Sequence, residues 1–426
     1  MARVFSAPII GQSAASGAQV IDGSLKFDQS KKTYLKRTPG SAGNRRTWTY
    51  SAWIKRGDLA SSERGLFSTY GSAHPTTALK FGSSQVLEFL DYQSGYICQK
   101  ITNQVFRDTG WYHIVIVIDT TLSTAEDRYK LYVNGERVTS FGTNTNISTQ
   151  NQQLDWNSAT EHNLFMHGDE STPYEGMGAQ TYFIDGQALT PDSFGFTDPL
   201  TNTWKPKKFD IRAENNPNNG TTWSNLTTAS SGSFEGSFPK TNLFDGIASN
   251  SNRANLGTVG ASIDIDFSSS PINVKNTISI WSGKANLSYS INGGAYVNYS
   301  DASETYKDIP FTGTLTSLSL KKSDEGAGAS AIKIDGYILL DGKVDNSFYL
   351  PLDGNSPIGH DKSKSKPIND GTVWSNLTSG GAVNASYPMA QAFDGSTSTT
   401  AVRAVSGGGF VFGGSLGITY KSRVRI

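Results

Sequence analysis

The sequence predicts an all-β chain built of antiparallel sandwiches, and three observations predict it. Glycine reaches 44 of 426 residues while charged residues make up only 17%, and no long Ala/Leu/Glu/Lys-rich stretch recurs at helical period. That profile suits short strands joined by many turns. Segments of alternating polar and apolar residues arrive at short spacing, the two-residue period of strands with one face buried. The stretch GTTWSNLT at Gly220 also returns as GTVWSNLT at Gly371, so part of the chain is copied from one small unit.

A chain of this length holds about two to four domains, each able to bury its own core. Lys+Arg and Asp+Glu stand at 37 each, so no net field draws the chain to nucleic acid or to an anionic membrane surface. The single cysteine, Cys98, has no partner for an internal disulfide. The N-terminal MARVFSAPIIGQS carries too short an apolar run for a secretory signal, so synthesis in a reducing cytoplasm is the expectation. No apolar stretch approaches the ~20 residues that cross a bilayer. Triplets such as Asn225-Leu226-Thr227 are expected in a chain this rich in Asn, Ser and Thr, and without a signal they carry no weight as glycan acceptors.

Residues 21–197 read as the first domain. In TWTYSAWIK, Trp48, Tyr50, Ala52 and Ile54 share one face, and Thr47, Thr49, Ser51 and Lys55 take the other, the pattern of a half-buried strand. WYHIVIVID instead carries an unbroken apolar run from Ile114 to Ile118, which requires burial on both faces at the centre of a sandwich. RYKLYVNGERVTSF alternates around Asn134-Gly135, a pair that accepts the positive φ angles of a tight hairpin.

The stretches GSLKFDQSKKTYLKR, WTYSAWIKRG, GLFSTYGS, WYHIVIVID, YKLYVNGERV and TYFIDGQALTPDSF, in this order, resemble the concanavalin-A-like, laminin-G-like jelly-roll sandwich. The last would be its closing strand with a short helical turn. The resemblance implies carbohydrate binding, which many members perform, and hydrolysis, which some perform. Hydrolysis needs two carboxylates flanking a glycosidic bond. The family's Glu-x-Asp-x-x-Glu spacing is absent, Glu88 and Asp91 in EFLDYQ being the nearest approach. The chain is therefore expected not to be an enzyme. In this family the loop holding Asp169 and Glu170 often borders a ligand or calcium site, so these two are candidate ligands for a hard cation. His113, His162 and His167 are read as hydrogen-bonded or surface histidines; His162 and His167, five apart, would point to opposite faces of an extended strand. Sugar-binding surfaces pair an exposed aromatic face with polar groups, and Tyr70, Tyr92, Tyr96 and Tyr174 lie in or near expected loops. They are the candidate carbohydrate contacts, with core or subunit-contact roles as the alternative.

From Gly220 the character changes. Trp223 corresponds to Trp374, Pro239 to Pro388, and Phe244-Asp245-Gly246 to Phe393-Asp394-Gly395. Upstream, Ile184-Asp185-Gly186 precedes Trp223 by about as much as Ile334-Asp335-Gly336 precedes Trp374. The two WSNLT stretches are expected to be first strands of serial copies of one module, residues 220–345 and the start of a second at 371–426. In the first copy SIDIDF puts Ile263, Ile265 and Phe267 on one face, LSYSINGGAYVNY is a hairpin around Asn292-Gly293-Gly294, and TLTSLSLKK and AIKIDGYILLDG supply further strands. The YP…AFDGSTST arrangement resembles a loop of discoidin-type, galactose-binding-like modules, which implies a structural calcium held by Asp394 and, in the first copy, Asp245. A turn in which the Asp caps the backbone is the alternative. The second copy ends a strand or two after its Asp-Gly loop, and half a sandwich cannot bury its inner face; the natural polypeptide is expected to continue beyond residue 426, with completion of the fold by a partner as the alternative. Residues 198–219 and 346–370, rich in Pro, Gly and Lys and without periodicity, read as extended linkers along domain surfaces. Within the second, KSKSKP is a solvated loop rather than a nucleic-acid patch.

The order of these parts, from GSLKFD and WTYSAWIKRG through YFIDGQALTPDSFG to FYLPLDGNSPIGHDKSKSKP and a new VWSNL, resembles tail-fibre and related virion proteins of marine bacteriophages. The resemblance implies a homotrimeric virion component assembled in the host cytoplasm and located on the phage tail. Residues 1–20, with Val4, Phe5, Ile9 and Ile10, would dock onto other tail or capsid proteins; the alternative is a disordered tail. The outer modules would bind host-surface glycans, with no nucleic acid, no membrane insertion and no cofactor other than calcium. A capsid-surface fibre or decoration protein, and a polysaccharide-degrading tailspike enzyme, are the alternative readings.

Overall fold

A computed structural model describes residues 19, 21, 23–70, 77–168, 170–211, 215–283, 287–299, 304–323, 328–363, 378–379 and 417–418. The first compact unit runs from Met1 to His360 and the second from Asp361 to Ile426. Strands and short 3-10 turns are the only regular structure among the described residues. No helix there is long and apolar enough to cross a membrane.

The first sandwich comprises β1 (Leu25–Phe27), β2 (Leu35–Arg37), β3 (Thr47–Arg56), β4 (Arg64–Tyr70), β5 (Thr77–Phe81), β6 (Val86–Tyr92), β7 (Tyr96–Val105), β8 (Trp111–Asp119), β9 (Tyr129–Val133), β10 (Glu136–Val138), β11 (Phe141–Thr145), β12 (Glu161–Leu164) and β13 (Gly176–Asp185). The back sheet has the order β1-β13-β3-β8-β9-β10, and the front sheet β11-β7-β6-β5-β4-β12-β2. Trp48, Tyr50, Ala52 and Ile54 enter the shared core as their alternation predicts. So do Ile114, Ile116 and Ile118 of β8, while Val115 and Val117 are buried on its other side. The β9–β10 hairpin turns at Asn134 and Gly135, whose φ angles of 50° and 84° are the positive values that this pair tolerates. The closing strand β13 and the 3-10 turn Pro191–Ser193 stand where the sequence puts them.

β3 is not half-buried. Thr49 and Ser51 are as buried as the core face, because the chain after β13 returns over the back sheet. The Thr49 hydroxyl donates to the Gln187 carbonyl at 2.8 Å and accepts the Leu189 N–H. A hairpin of β14 (Gly195–Asp198) and β15 (Thr203–Pro206) follows, within the segment expected to be a linker. Its Trp204 indole N–H donates to His113 Nδ1 at 2.9 Å, and Ser51 Oγ pairs with His113 Nε2 at 2.8 Å. Phe194, Phe209 and Ile211 complete a second apolar layer on that face with Tyr182 and Ile184.

The second sandwich has its own core, from Trp223 to Leu339. One sheet orders the strands Thr227–Ala229, Ser262–Asp266, Ser317–Lys322, Leu287–Ile291 and Val297–Tyr299; the other orders Thr305–Pro310, Thr277–Ser282, Ala331–Ile334 and Tyr337–Ile338. Ile263, Ile265 and Phe267 all face inward, and the hairpin turns at Asn292 and Gly293, φ 51° and 72°. WSNL itself is not the first strand. Trp223–Leu226 is a 3-10 turn that drives the Trp223 indole against Phe267, ring centroids 5.7 Å apart, and the strand starts at Thr227. In the second unit Thr378, the matching threonine, likewise begins a strand, Thr378–Ser379, paired with Gly417–Ile418. The rest of the second copy, including Asp394, lies outside the described residues, as do Val4, Phe5, Ile9 and Ile10.

The largest departure from the expected organisation is at residues 346–352. The chain leaves the second sandwich beside its entry point, where Gly220 N donates to Lys343 O at 2.8 Å and Asp345 N to Asn218 O at 2.9 Å. It then returns to the first sandwich. Phe348–Leu350 pairs antiparallel with Thr181–Phe183 of β13, continuing the edge where β1 pairs with Gly176–Gly178. Phe348, Leu350 and Leu352 belong to the first core. The start of the expected 346–370 linker is therefore a core strand, and the second sandwich is an insertion in the first rather than a bead after it.

Candidate functional site

The front sheet presents its outer side through strand alternation. In β12, His162 packs against Phe67 with ring centroids 5.9 Å apart and Leu164 joins the core, so Asn163 between them faces outward. Its cross-strand neighbours are Lys36 of β2 and Ser68 of β4. Next along the same strands, Glu161 stands opposite Tyr70 and reaches Lys36 at 3.1 Å. The Tyr34 hydroxyl donates to Glu170 Oε1 at 2.6 Å. The Glu161 and Glu170 charges raise the Lys36 ammonium above its ordinary value, Glu161 foremost, and the Glu170 carboxylate raises the Tyr34 phenol.

The end of the sheet that carries Tyr70 also carries Tyr92, at the end of β6, and Tyr96, at the start of β7; they are paired across the hairpin with ring centroids 5.2 Å apart. Tyr70, Tyr92 and Tyr96 are 46%, 38% and 53% exposed. β4 and β6 are separated only by β5, which sets Tyr70 and Tyr92 about 10 Å apart across the strands. Asp91 holds this end together from the inside. Its carboxylate accepts hydrogen bonds from Thr77 Oγ1, from Gln93 Nε2 at 2.8 Å and from the Asp155 N–H at 3.0 Å. Burial pushes its pKa up to about 6.

The Asn163 side chain is wholly buried, and neither its oxygen nor its nitrogen has a hydrogen-bond partner among the described residues. A buried amide left in that state costs on the order of 1–3 kcal/mol per group, and at 0% exposure Asn163 is covered on that face rather than open to a ligand. The segment that follows it folds back over Gly65, whose N–H donates to Thr172 O at 3.0 Å. A Cβ at Gly65 would meet His167 N at 2.1 Å, so only glycine lets this loop approach.

Three of the four tyrosines expected to contact sugar are therefore gathered at one end of one face. Tyr174 is a correction: it is 0% exposed, packed in the core against Phe165 at 5.5 Å, because the chain at that point turns inward before β13. Tyr34, Lys36, Glu161 and Asn163 were not anticipated. Only strand register brings them together, and single polar residues in short strands give no sequence signal. Glu88 and Asp91 lie on opposite faces of β6, Asp91 buried and Glu88 paired with Lys80 at 3.6 Å on the outer side; they do not flank a common bond.

Among the described residues no group of three or more His, Cys, Asp or Glu side chains is arranged to hold a metal ion. Asp169 lies outside the described residues. Asp245 is spent on its own turn: Asn252 Nδ2 donates to both carboxylate oxygens at 3.0 and 2.8 Å and the Ile247 N–H to Oδ1 at 2.8 Å, the capping alternative. His162 and His167 do not share a strand, since β12 ends at Leu164. His162 accepts the Asn157 N–H at Nε2 and pairs with Thr160 O at Nδ1. Burial holds its pKa at about 4, and that of His113 at about 3.

Residues 29–172 match the concanavalin A-like lectin/glucanases superfamily, Laminin_G_3, and the first sandwich is a domain of that type. No curated protein matches the chain. Among solved structures it is similar to a heptameric SAP-like pentraxin from Limulus polyphemus, with 17% identity, TM-score 0.30, and coverage of 41% of this chain and 80% of that one. It is also similar to the enzymatically active domain of tailspike protein 2 from bacteriophage CBA120, with 14% identity, TM-score 0.30 and coverage of 40% and 26%. A third is a sialidase from Trypanosoma rangeli, with 12% identity, TM-score 0.26 and coverage of 35% and 22%. At these scores the three structures carry no argument about ligand or assembly.

Proposed function

We propose that this chain is a structural component of a bacteriophage virion, a homotrimeric tail fibre that touches host-surface glycans with the outer side of its front sheet. The observation that carries the glycan reading is the gathering of exposed Tyr70, Tyr92 and Tyr96 with Glu161 and Lys36 on one face of a lectin-type sandwich. Ring faces cover the C–H surface of a sugar, while carboxylate and ammonium groups take its hydroxyls. The near-neutral balance of charge suits a ligand recognised by hydrogen bonds. The virion reading rests on the order of modules and its resemblance to phage fibres, with residues 1–20 as the attachment arm.

The test has two arms. Retention of the protein on immobilised polysaccharide from a susceptible host is expected to fall at least tenfold in a Tyr70→Ala/Glu161→Gln variant that melts like the parent. Unchanged retention overturns the glycan site. Labelled antibody on intact particles is expected to decorate the tail; decoration of the capsid, or of neither, overturns the tail-fibre reading.

A further inference from the structure

A polar cleft lies within the first compact unit, where the inserted sandwich meets the one that carries it. The cleft is about 400 Å³ and is lined by Asn44, Arg46, Asp119 and Gln187 from the first sandwich and by Tyr306 and Lys333 from the second. A volume near the lower end of the range for ligand pockets has room for a small polar molecule.

Its charges are not equally committed. Asp119 Oδ1 accepts the Thr121 N–H at 3.0 Å and the Thr121 hydroxyl at 2.5 Å. Asp335, which also borders the cleft, accepts the N–H groups of Lys275, Asn276 and Thr277 at 2.8, 2.8 and 3.0 Å. Both carboxylates are thus engaged in holding the backbone. Lys333 is not, and Arg46 is so only in part. Ile332 and Ile334 face the core of the second sandwich, so Lys333 stands outward between them. Its Nζ lies 3.9 Å from the centroid of the Tyr306 ring and forms no ion pair or hydrogen bond among the described residues. Burial lowers its pKa, with Asp119 and Asp308 opposing. Arg46 spends Nε on the Asn151 carbonyl and Nη1 on the Asp245 carbonyl, at 2.8 and 2.6 Å, which leaves Nη2 without a partner among the described residues. Lys333 and Arg46 have carboxylates nearby, Asp119 and Asp245, but neither is ion-paired among the described residues, and with the hydroxyl and amide groups of the cleft they offer donors to an anion that carries hydroxyls.

We infer that this cleft binds an acidic sugar residue, its carboxylate on Lys333 and Arg46 and its hydroxyls on Asn44, Thr47 and Gln187. The site is separate from the front-sheet face and stands or falls independently of it. The experiment uses the full chain, with glucuronate, glucose and inorganic sulfate as probes in calorimetric or ligand-detected NMR titrations at low salt. Glucuronate is expected to bind at least tenfold more tightly than either glucose or sulfate. Lys333→Met, which keeps an unbranched stem over Tyr306 and removes the charge, is expected to weaken glucuronate at least tenfold, and Lys333→Arg to restore most of the binding. Leu200→Ala, 89% exposed in the β14–β15 turn and outside both sites, is expected to leave it unchanged. Equal binding of glucose and glucuronate, sulfate binding as tightly as glucuronate, or a Lys333→Met variant that melts like the parent and binds like it, each overturns the inference.

Discussion

The Asn346 N–H donates to Asp185 Oδ2 at 2.9 Å, in a fully buried setting, and this bond fastens the chain as it returns from the inserted sandwich to the end of β13. The other oxygen, Oδ1, accepts the Asn44 N–H at 2.9 Å and Asn157 Nδ2 at 2.7 Å. One carboxylate therefore joins four separate segments. Asp185→Asn turns an acceptor into a donor facing N–H groups, and each stranded group costs on the order of 1–3 kcal/mol. The variant is expected to lose roughly 3 kcal/mol or more of stability in urea melts, read from the midpoint at unchanged slope. A loss below 1 kcal/mol contradicts the stapling role.

Insertion makes truncation asymmetric. A chain ending at residue 345 lacks Phe348, Leu350 and Leu352, which sit in the first core, whereas one ending at residue 360 keeps them. The shorter chain is expected to aggregate or to lose the cooperative transition of the first sandwich, and the longer one to melt like the parent. In the full chain Phe348→Ala is expected to cost about 3–5 kcal/mol. Differential scanning calorimetry distinguishes these outcomes.

Acid titration sets two buried histidines against two buried carboxylates. Asp91 and Asp185 titrate at about 6 and about 7 in the fold, above the ordinary 3.8. Their contribution is fully present below 3.8 and is lost as pH rises through those values. His113 and His162, at about 3 and about 4 against an ordinary 6.5, contribute stability that is present above 6.5 and lost as pH falls. Between pH 4.5 and 6.0 the two pairs oppose each other, and stability is expected to change little. In His162→Gln one opposing proton is gone, and stability should rise on acidification by up to about 1.4 kcal/mol per pH unit. Urea melts at pH 6.0, 5.2 and 4.5 read the slope; a His162→Gln slope equal to the parent's refutes this account.

Tyr70 and Tyr174 separate surface from core among residues of one type. Tyr174→Ala is expected to destabilise the fold by about 3–5 kcal/mol. Tyr70→Ala is expected to move stability by less than about 0.5 kcal/mol while reducing glycan retention. Thermal melts paired with the polysaccharide binding assay check both, and a destabilised Tyr70→Ala would show that this ring packs rather than presents itself.

Much of this was legible because strands write their period locally. Trp48, Tyr50, Ala52 and Ile54 announce a buried face, Ile114 to Ile118 announce a strand covered twice, and Asn134-Gly135 announces its turn. The candidate site was half legible: Tyr70, Tyr92 and Tyr96 border turns that the alternation locates, but nothing near Tyr174 marks it as inward. Glu161 matters only because register sets it beside Lys36 and Tyr70.

The sequence by itself determined the strands and the hairpins, since alternation and turn chemistry are properties of neighbouring residues. Tertiary structure alone decided that the second sandwich is inserted in the first, that Phe348–Leu350 closes the edge of β13, and that Arg46 and Lys333 share a cleft. Those pairings join residues more than 100 positions apart. Their partners are selected by which buried edge and which apolar surface remain uncovered once the local elements have formed, and a three-residue strand is too short to carry that information in its own pattern.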